Sequence, residues 1–387
     1  MKKKIIIFPG NYLPHLGGLE THVDELANYL SKKDYDITIF TPNVLKAKEK
    51  EVVHNNVKVI RYPAFELIKN FPFPNIFSLK FYKLYFGLYK NDYDIVMTRT
   101  RFFTNSFLGV KFAKFRLKRI KLVHVEHGSS YVKLSNKFFS FLSYLYDKVF
   151  GNLVFILANK NISISETVDE FVKKSFFNTK NTTIIRRGID FTKLDNIKID
   201  NKLRQKFKDK IIITTVSRLY KWKGLDQSIH AFKMLDKKTK DKCVYLICGD
   251  GEDTKALKKR AGDDLDKNIF FMGRTSFERS YQIMKTSDIY LHPSYPGGGL
   301  SSSLLSAMYL NSAIVASPYE GAREVVNSKC GILLEDNKSK NIAESIEKIV
   351  KNKSKISFYS KNSNKMIKQD FSWDKVIEEY EQVFNDL

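Results

Sequence analysis

A few residues in this 387-residue chain are placed where chemistry could use them. In "SRLYKWKG", Arg218 and Lys223 lie on a loop directly after the apolar run "IIITTV". An arginine forks onto phosphate oxygens, and a lysine adds a compact charge. At the carboxyl end of a strand the two suit a diphosphate leaving group, whose negative charge grows as it departs. In a chain with 66 basic residues, two ordinary surface cations is the competing reading. "HVEHGSS" places His127, one of seven histidines, at a strand end before Gly128. That position suits donation to a sugar hydroxyl, proton transfer, or a satisfied rim histidine.

Glycines supply the rest of the pattern. Gly17 and Gly18 in "GGLE" follow the first apolar run and open a helical pattern. Paired glycines let backbone approach a ligand, and the helix start offers free amides and a positive dipole to a phosphate. The spacing is not that of a dinucleotide fingerprint. Gly249 in "GDG" follows "VYLI" and can bend backbone round a ligand. "GGGLSSSLLSAM" gathers Gly298, Gly299, Leu300, Ser301 and Ser302, with Ser306 further along the same apolar run. Open amides at a helix start, capped by hydroxyls, suit an anion. The "DYD" triplets at Asp34–Asp36 and Asp92–Asp94 resemble carboxylate pairs for a divalent metal, but each directly precedes an apolar run. They read as turn residues entering strands, and no metal ligand set is assigned.

Elements must hold these residues in place. "KIIIF", "YDITIFTPN", "VKVIRYP", "YDIVMTR" and "KLVHVEHG" read as strands. Between the first two, Val23, Leu26, Ala27 and Leu30 recur three and four apart on one helix face. The rhythm restarts at "KIIITTVSRL" and runs through "CVYLICGDG", "NIFFMG", "SDIYLHPS" and "SAIVASP". Strands alternating with helices predict an α/β fold with parallel sheets. A length of 387 residues predicts two such domains. The polar stretch Asp195–Lys210 reads as their linker, and ligands are expected in a cleft between them, beyond the carboxyl ends of the strands.

Composition narrows the partners. Cys243, Cys248 and Cys330 have no ligand spacing and read as buried thiols in a reducing compartment. The net charge of +24 attracts nucleic acid, anionic lipid or phosphorylated small molecules. No nucleic-acid-binding module is present and the basic residues are dispersed, so nucleic acid is not expected as a partner. Lysines are interleaved with aromatic residues in Ile68–Asn91 and again in Tyr131–Asn152. Such segments suit an anionic membrane surface, and equally ordinary helix packing. "MKKKIIIFPG" is too short in its apolar part for a signal peptide, and no run is long enough to span a bilayer. The expected location is cytoplasmic, with the inner face of the cell membrane as a peripheral site.

In order, "PHLGGLETHV", "HVEHG", "IIRRGID", "TTVSRLYKWKGLDQSIHAF", "LICGDGED", "SDIYLHPS", "LLSAM" and "IVASPYEGAREVV" resemble a retaining sugar-nucleotide glycosyltransferase of family 4 with the GT-B fold. The resemblance covers almost the whole chain. It implies two Rossmann-like domains facing across a cleft. Residues 1–200 would bind the acceptor and 205–370 the nucleotide-sugar donor, with a last helix in 371–387 packing back on the first domain. It implies that Arg218 and Lys223 clamp the donor diphosphate, that the Gly17–Gly18 loop lies near it, and that His127 meets the donor sugar. Glu324 in "EGAREVV" matches an acidic position of the donor domain. The implied substrates are a nucleoside-diphosphate sugar and a glycan or lipid-linked acceptor, in cell-surface polysaccharide or glycolipid synthesis, with no cofactor and no metal. Two departures stand out. Relatives usually carry glutamates where Gly298 and Ser306 stand, and Pro-Asn where Arg186 and Arg187 stand. A serine can accept a ribose hydrogen bond without a carboxylate's charge or bidentate reach. Altered donor recognition is the favoured account of the missing carboxylates. The alternatives are a weak or inactive homologue that binds sugar nucleotide as a partner subunit, and a substitution at Ser306 particular to this chain.

Overall fold

A computed structural model describes residues 2–15, 17–68, 70–116, 120–132, 137–177, 179–296 and 299–387. The chain forms two compact units, Met1–Gly188 with Trp373–Leu387, and Ile189–Ser372. The strands of the first unit are β1 (Lys3–Phe8), β2 (Tyr35–Asn43), β3 (Lys50–Val53), β4 (Val57–Ile68), β5 (Phe71–Pro74), β6 (Ile95–Arg99), β7 (Lys121–Glu126), β8 (Lys160–Ser163) and β9 (Thr182–Ile184). Those of the second are β10 (Ile211–Val216), β11 (Cys243–Cys248), β12 (Ile269–Gly273), β13 (Ile289–His292), β14 (Ala313–Ala316) and β15 (Gly331–Leu333).

The first sheet runs β3-β4-β2-β1-β6-β7-β8-β9, with β5 paired to β4. It is parallel except at one edge, where β3 and β5 both run antiparallel to β4. That hairpin edge departs from the all-parallel expectation. The second sheet, β12-β11-β10-β13-β14-β15, is parallel at every pairing. In each sheet the chain lays strands to one side of its first strand and then crosses to the other. The switch points therefore fall between β1 and β6 and between β10 and β13. In open α/β sheets, ligand sites lie beyond the carboxyl ends of the strands at such points.

Side-chain alternation explains why both faces of each sheet are covered. Ile5 and Ile7 of β1 pack with Val23, Leu26, Ala27 and Leu30 of the Gly18–Lys32 helix. Ile6 and Phe8 point the other way, toward Phe40, Phe81 and Phe112. Strands buried on both faces read as continuous apolar runs, as these do. The Trp373–Asn385 helix adds Trp373, Val376, Ile377, Tyr380, Val383 and Phe384 to the first core. Gly188 leaves room for it: a Cβ there would lie 2.5 Å from the Trp373 ring.

Asp195–Lys210 is not a linker. Asp200 caps the Asn201–Lys206 helix by accepting from the Leu203 amide at 3.0 Å, and Arg204 bonds Asp288 at 3.0 Å. Leu203 and Phe207, one helical turn apart, pack against Ile212 and Val244. Two apolar residues hidden in a polar stretch are enough to dock it, so the change of unit comes earlier, at Gly188. The Ser354–Asp370 helix buries Tyr359, Ser360, Ser363 and Ile367.

Candidate functional site

In the second unit, three strand ends converge. The loop after β10 makes one short turn at Lys221–Lys223 and leaves it through Gly224, whose φ is +66°. A Cβ on Gly224 would sit 1.9 Å from the Pro293 carbonyl oxygen, so glycine is required here. The Tyr295 amide bonds the Trp222 carbonyl at 2.8 Å, tying this turn to the segment after β13. Lys223 then reaches the loop after β14. Its Nζ lies 3.0 Å from both carboxylate oxygens of Glu320 and 3.9 Å from the centre of the Trp222 ring. His292, the last residue of β13, brings Nε2 to 3.3 Å from Glu320 Oε2.

Nothing in the sequence around Glu320 marks it for chemistry; the motif "EGAREVV" points instead to Glu324. Glu320 is 2% exposed and holds a left-handed backbone, φ +53°. A non-glycine residue in that region costs about 1–3 kcal/mol and persists only where its surroundings over-determine it. Burial pushes its carboxyl pKa up, but Lys223 and His292 pull it further down, to about 2. Gly321 follows with φ +71°, and a Cβ there would lie 3.1 Å from Leu300 Cα. This close approach sets the Glu320 turn against the entry to the Ser302–Tyr309 helix.

The serine-rich helix start departs from expectation in its caps. Ser301 takes the N-cap position, but its hydroxyl caps no amide and instead meets the Ser303 hydroxyl at 3.1 Å. The first amides of this helix are therefore left without a side-chain cap. Leu300 is 4% exposed and belongs to the core with Leu304 and Val325, so only its backbone is available to a ligand. Ser302 is half-buried, Ser306 is buried on the same helix, and Glu324 is half-buried in the short Ala322–Val325 helix. Gly299 lies just before this start; Gly298 lies outside the described residues. Arg218 is exposed on the β10 loop. Gly249, φ +131°, has a packing reason of its own: its Cβ would meet the Ser217 carbonyl oxygen at 1.9 Å. Gly251 presses likewise on Leu219, so the "GDG" loop supports the backbone that carries Arg218.

In the first unit the strand ends hold a different cluster. Arg99, the last residue of β6, is 2% exposed. Its Nη2 lies 3.0 Å from His22 Nδ1 and 2.9 Å from His127 Nε2. The turn carrying His127 hangs on Glu126, whose Oε1 accepts the amides of His127 at 2.8 Å and Gly128 at 2.7 Å. The other oxygen, Oε2, takes the Arg101 amide at 3.1 Å and the Arg101 guanidinium at 3.2 Å. Arg101 also bonds Asp147 at 3.1 Å. Burial raises the Asp147 pKa to about 6 although Arg101 opposes it. For His22 and His127, burial and then Arg99 hold the pKa well below the usual imidazole value.

Gly17 caps the Gly18–Lys32 helix from an extended backbone, φ −174°, which any residue adopts. The two arginines of "IIRRGID" part company. Arg187 is buried and directs Nη1 at the Gly18 carbonyl, 3.5 Å away, while Arg186 pairs on the surface with Glu166 at 2.7 Å. Both "DYD" triplets lead directly into β2 and β6, and Asp94 accepts the Lys4 amide at 2.8 Å. Arg99, His22, Glu126, His292 and Glu320 all escaped the sequence reading. The available signal was position at or just beyond the carboxyl end of an apolar run, shared by all but His22.

Two α/β units with charged groups gathered at their strand switch points define a class, the glycosyltransferases of GT-B fold. Sucrose-phosphate synthase from Thermosynechococcus elongatus superposes with a TM-score of 0.79 at 16% identity, over 99% of this chain and 98% of that one. HepE of Anabaena, solved with UDP and glucose, superposes with a TM-score of 0.76 at 18% identity over the full length of both. Residues 16–193 match Glycosyltransferase Family 4, and residues 195–370 match Glycosyl transferases group 1. An uncharacterized glycosyltransferase of Methanocaldococcus jannaschii is 52% identical over 100% of this chain and 99% of its own length. The chain belongs to the group 1 glycosyltransferases. The phosphatidylinositol N-acetylglucosaminyltransferase GPI3 subunit of Saccharomyces cerevisiae is a more distant relative, 23% identical over 88% of this chain and 73% of its own.

Proposed function

We propose that this glycosyltransferase moves a sugar from a nucleoside diphosphate to an acceptor hydroxyl with retention of the anomeric configuration. One observation carries the reading. The β10, β13 and β14 loops bring Lys223 to the turn that abuts the uncapped start of the Ser302–Tyr309 helix. A cation and open amides together are what a departing diphosphate needs. In this reading Arg218 and Lys223 bind the diphosphate, with backbone of Gly298, Gly299, Leu300, Ser301 and Ser302. Gly17, Gly18 and Gly249 flank it, Ser306 takes a ribose hydroxyl, Glu324 belongs to the donor site, and His127 meets the transferred sugar. HepE, solved with UDP and with UDP-glucose, supports a nucleotide-sugar donor. The anomeric C–O bond to the diphosphate breaks, the acceptor oxygen bonds the same face, and its proton passes to the leaving phosphate. Cations and amides neutralise the developing charge, so no metal enters the scheme.

The test is nucleotide release from a panel of nucleotide sugars, with and without lipid-linked acceptors and with and without a chelator. Release that is lost in Lys223→Ala and insensitive to chelation is expected. Chelation that abolishes transfer, restored by Mg²⁺ or Mn²⁺, would end the metal-free scheme. Tight donor binding without transfer to any acceptor would favour the partner-subunit alternative.

The acceptor reading rests on a second observation. The Lys137–Tyr146 helix buries none of its residues, and Phe138, Phe139, Phe141, Leu142, Tyr144 and Leu145 are all exposed. The other aromatic segment divides: Phe81, Leu84 and Tyr85 enter the core, while Ile76, Phe77, Leu79 and Phe86 stay exposed beside Lys80 and Lys83. No helix among the described residues is long and apolar enough to cross a membrane. Exposed rings on a chain of charge +24 fit an anionic lipid surface that presents a lipid-linked acceptor. Co-sedimentation with acidic vesicles at low salt, weakened in Phe138→Ser/Phe141→Ser, is the expected result; no binding removes this part of the proposal.

A further inference from the structure

Arg99 sits where the His127 ring must be read. A guanidinium carries only N–H donors and accepts nothing. Its Nη2 faces Nε2 of His127 at 2.9 Å and Nδ1 of His22 at 3.0 Å. Both of those nitrogens must therefore present lone pairs. An imidazolium, with a proton on each nitrogen, does not fit either place. A neutral ring keeps one N–H, so His127 holds its proton on Nδ1 and His22 holds its proton on Nε2. His22 Nε2 is buried without a hydrogen-bond partner among the described residues, so no contact there competes with Arg99 in setting that ring's tautomer.

We infer that Arg99 is a positioning residue that locks His127 into the neutral Nδ1–H form, so that His127 serves as a hydrogen-bond donor and not as a proton shuttle. The inference rests on the reading that His127 meets the transferred sugar, and it chooses between the two roles that His127 could play there. The surroundings of the ring agree from every side. Arg99 comes from β6; His124 and Glu126 come from β7; His22 comes from the Gly18–Lys32 helix; and Arg187 follows β9. Tyr380 of the last helix lies beside Arg99. Glu126 is the one carboxylate among them, and its two oxygens are already taken by the His127, Gly128 and Arg101 amides and the Arg101 guanidinium. Glu126 favours a second proton on the ring, but burial and then Arg99 outweigh it. A shuttle is also not required, since the departing diphosphate can take the acceptor's proton.

The experiment is ¹⁵N imidazole NMR on the full chain, with the His127 signals assigned by their loss in His127→Asn. Protonation on Nδ1, without titration between about pH 5.5 and 8, is expected, because a free imidazole titrates near 6.5. Protonation on Nε2, or titration near that ordinary value, overturns the inference, and this needs no variant at position 99. In Arg99→Met the ring should be released. Its titration should appear, and kcat/KM should fall about tenfold, the worth of one hydrogen bond, with a new pH dependence near neutrality. Arg99→Gln, which keeps an amide NH₂ donor without the charge, should retain the Nδ1–H form and serves as the second variant should Arg99→Met fail to fold. The two readings fail separately. An Nδ1–H ring in a chain whose His127→Ala variant transfers sugar normally overturns the sugar contact and leaves the Arg99 lock standing. An Nε2–H ring in a chain that needs His127 overturns the lock alone.

Discussion

Each unit holds a cation at its strand ends, Arg99 buried and Lys223 half-buried, and each neutralises it differently. In the second unit Lys223 meets both oxygens of Glu320, a carboxylate 2% exposed. In the first, Arg99 meets two neutral imidazoles, the Met97 thioether and the Tyr380 phenol, with no carboxylate in contact among the described residues. Two positions along the chain, Arg101 shows the other choice within the same unit, with Glu126 and Asp147 both against it. The difference separates two uses of a buried charge. Arg101 is a strut, since its charge is cancelled where it stands. Lys223 is cancelled by one partner only and keeps an ammonium that an incoming anion can share. Arg99 keeps its charge and spends its hydrogen bonds on fixing ring orientation.

The largest effect should come from breaking the second-unit pair from one side. Lys223→Met leaves the buried Glu320 carboxylate without its lysine counter-charge and with only His292, 3.3 Å away, as an ionisable neighbour, which costs up to about 3–5 kcal/mol; a denaturant titration reads it. Lys223→Met/Glu320→Gln should recover most of that loss, and an additive double variant would show that the two groups are not coupled. Arg99→Met strands imidazole lone pairs and no charge, so its cost should be smaller, about 1–3 kcal/mol. Equal losses at the two sites would erase the distinction drawn above.

Acid should separate the units next. Glu320 has a folded pKa near 2, below the ordinary carboxyl value, so its contribution is complete above about pH 4.5 and drains away as pH falls toward 2. His22 and His127 are neutral in the fold and bind protons more readily once unfolded. Their effect therefore begins higher, with stability falling as pH drops below about 6.5. Stability measured against pH should show both limbs, and Glu320→Gln should flatten only the lower one. The smallest effect belongs to Arg186→Ala, which breaks an exposed pair with Glu166 and should cost under about 1 kcal/mol. Its neighbour Arg187, buried, should cost more.

Local pattern made much of this legible. Val23, Leu26, Ala27 and Leu30 declared a helix face and are all buried on it. The strand runs declared themselves by continuous apolar character, and the ordered motifs identified the family. Lys223 and His127 were found because both follow apolar runs. Their partners were not, because the contacts lie far along the chain. Glu320 meets Lys223 across 97 positions and His22 meets Arg99 across 77. No periodicity reaches that far. Leu203 and Phe207 were missed for the opposite reason: two apolar residues in a charged stretch fall below any pattern, yet they dock the segment. The antiparallel β3 and β5 at the sheet edge are short strands whose direction only pairing decides.

The Glu126 junction also has a mechanical side. Asp147 immediately follows the Lys137–Tyr146 helix, whose apolar side chains face solvent. From Asp147 the path runs through the Arg101 guanidinium to the Glu126 carboxylate, and from there to the His127 and Gly128 amides, which flank the His127 Cα. Three bonded steps thus join an outward-facing greasy helix to the turn that aims an imidazole.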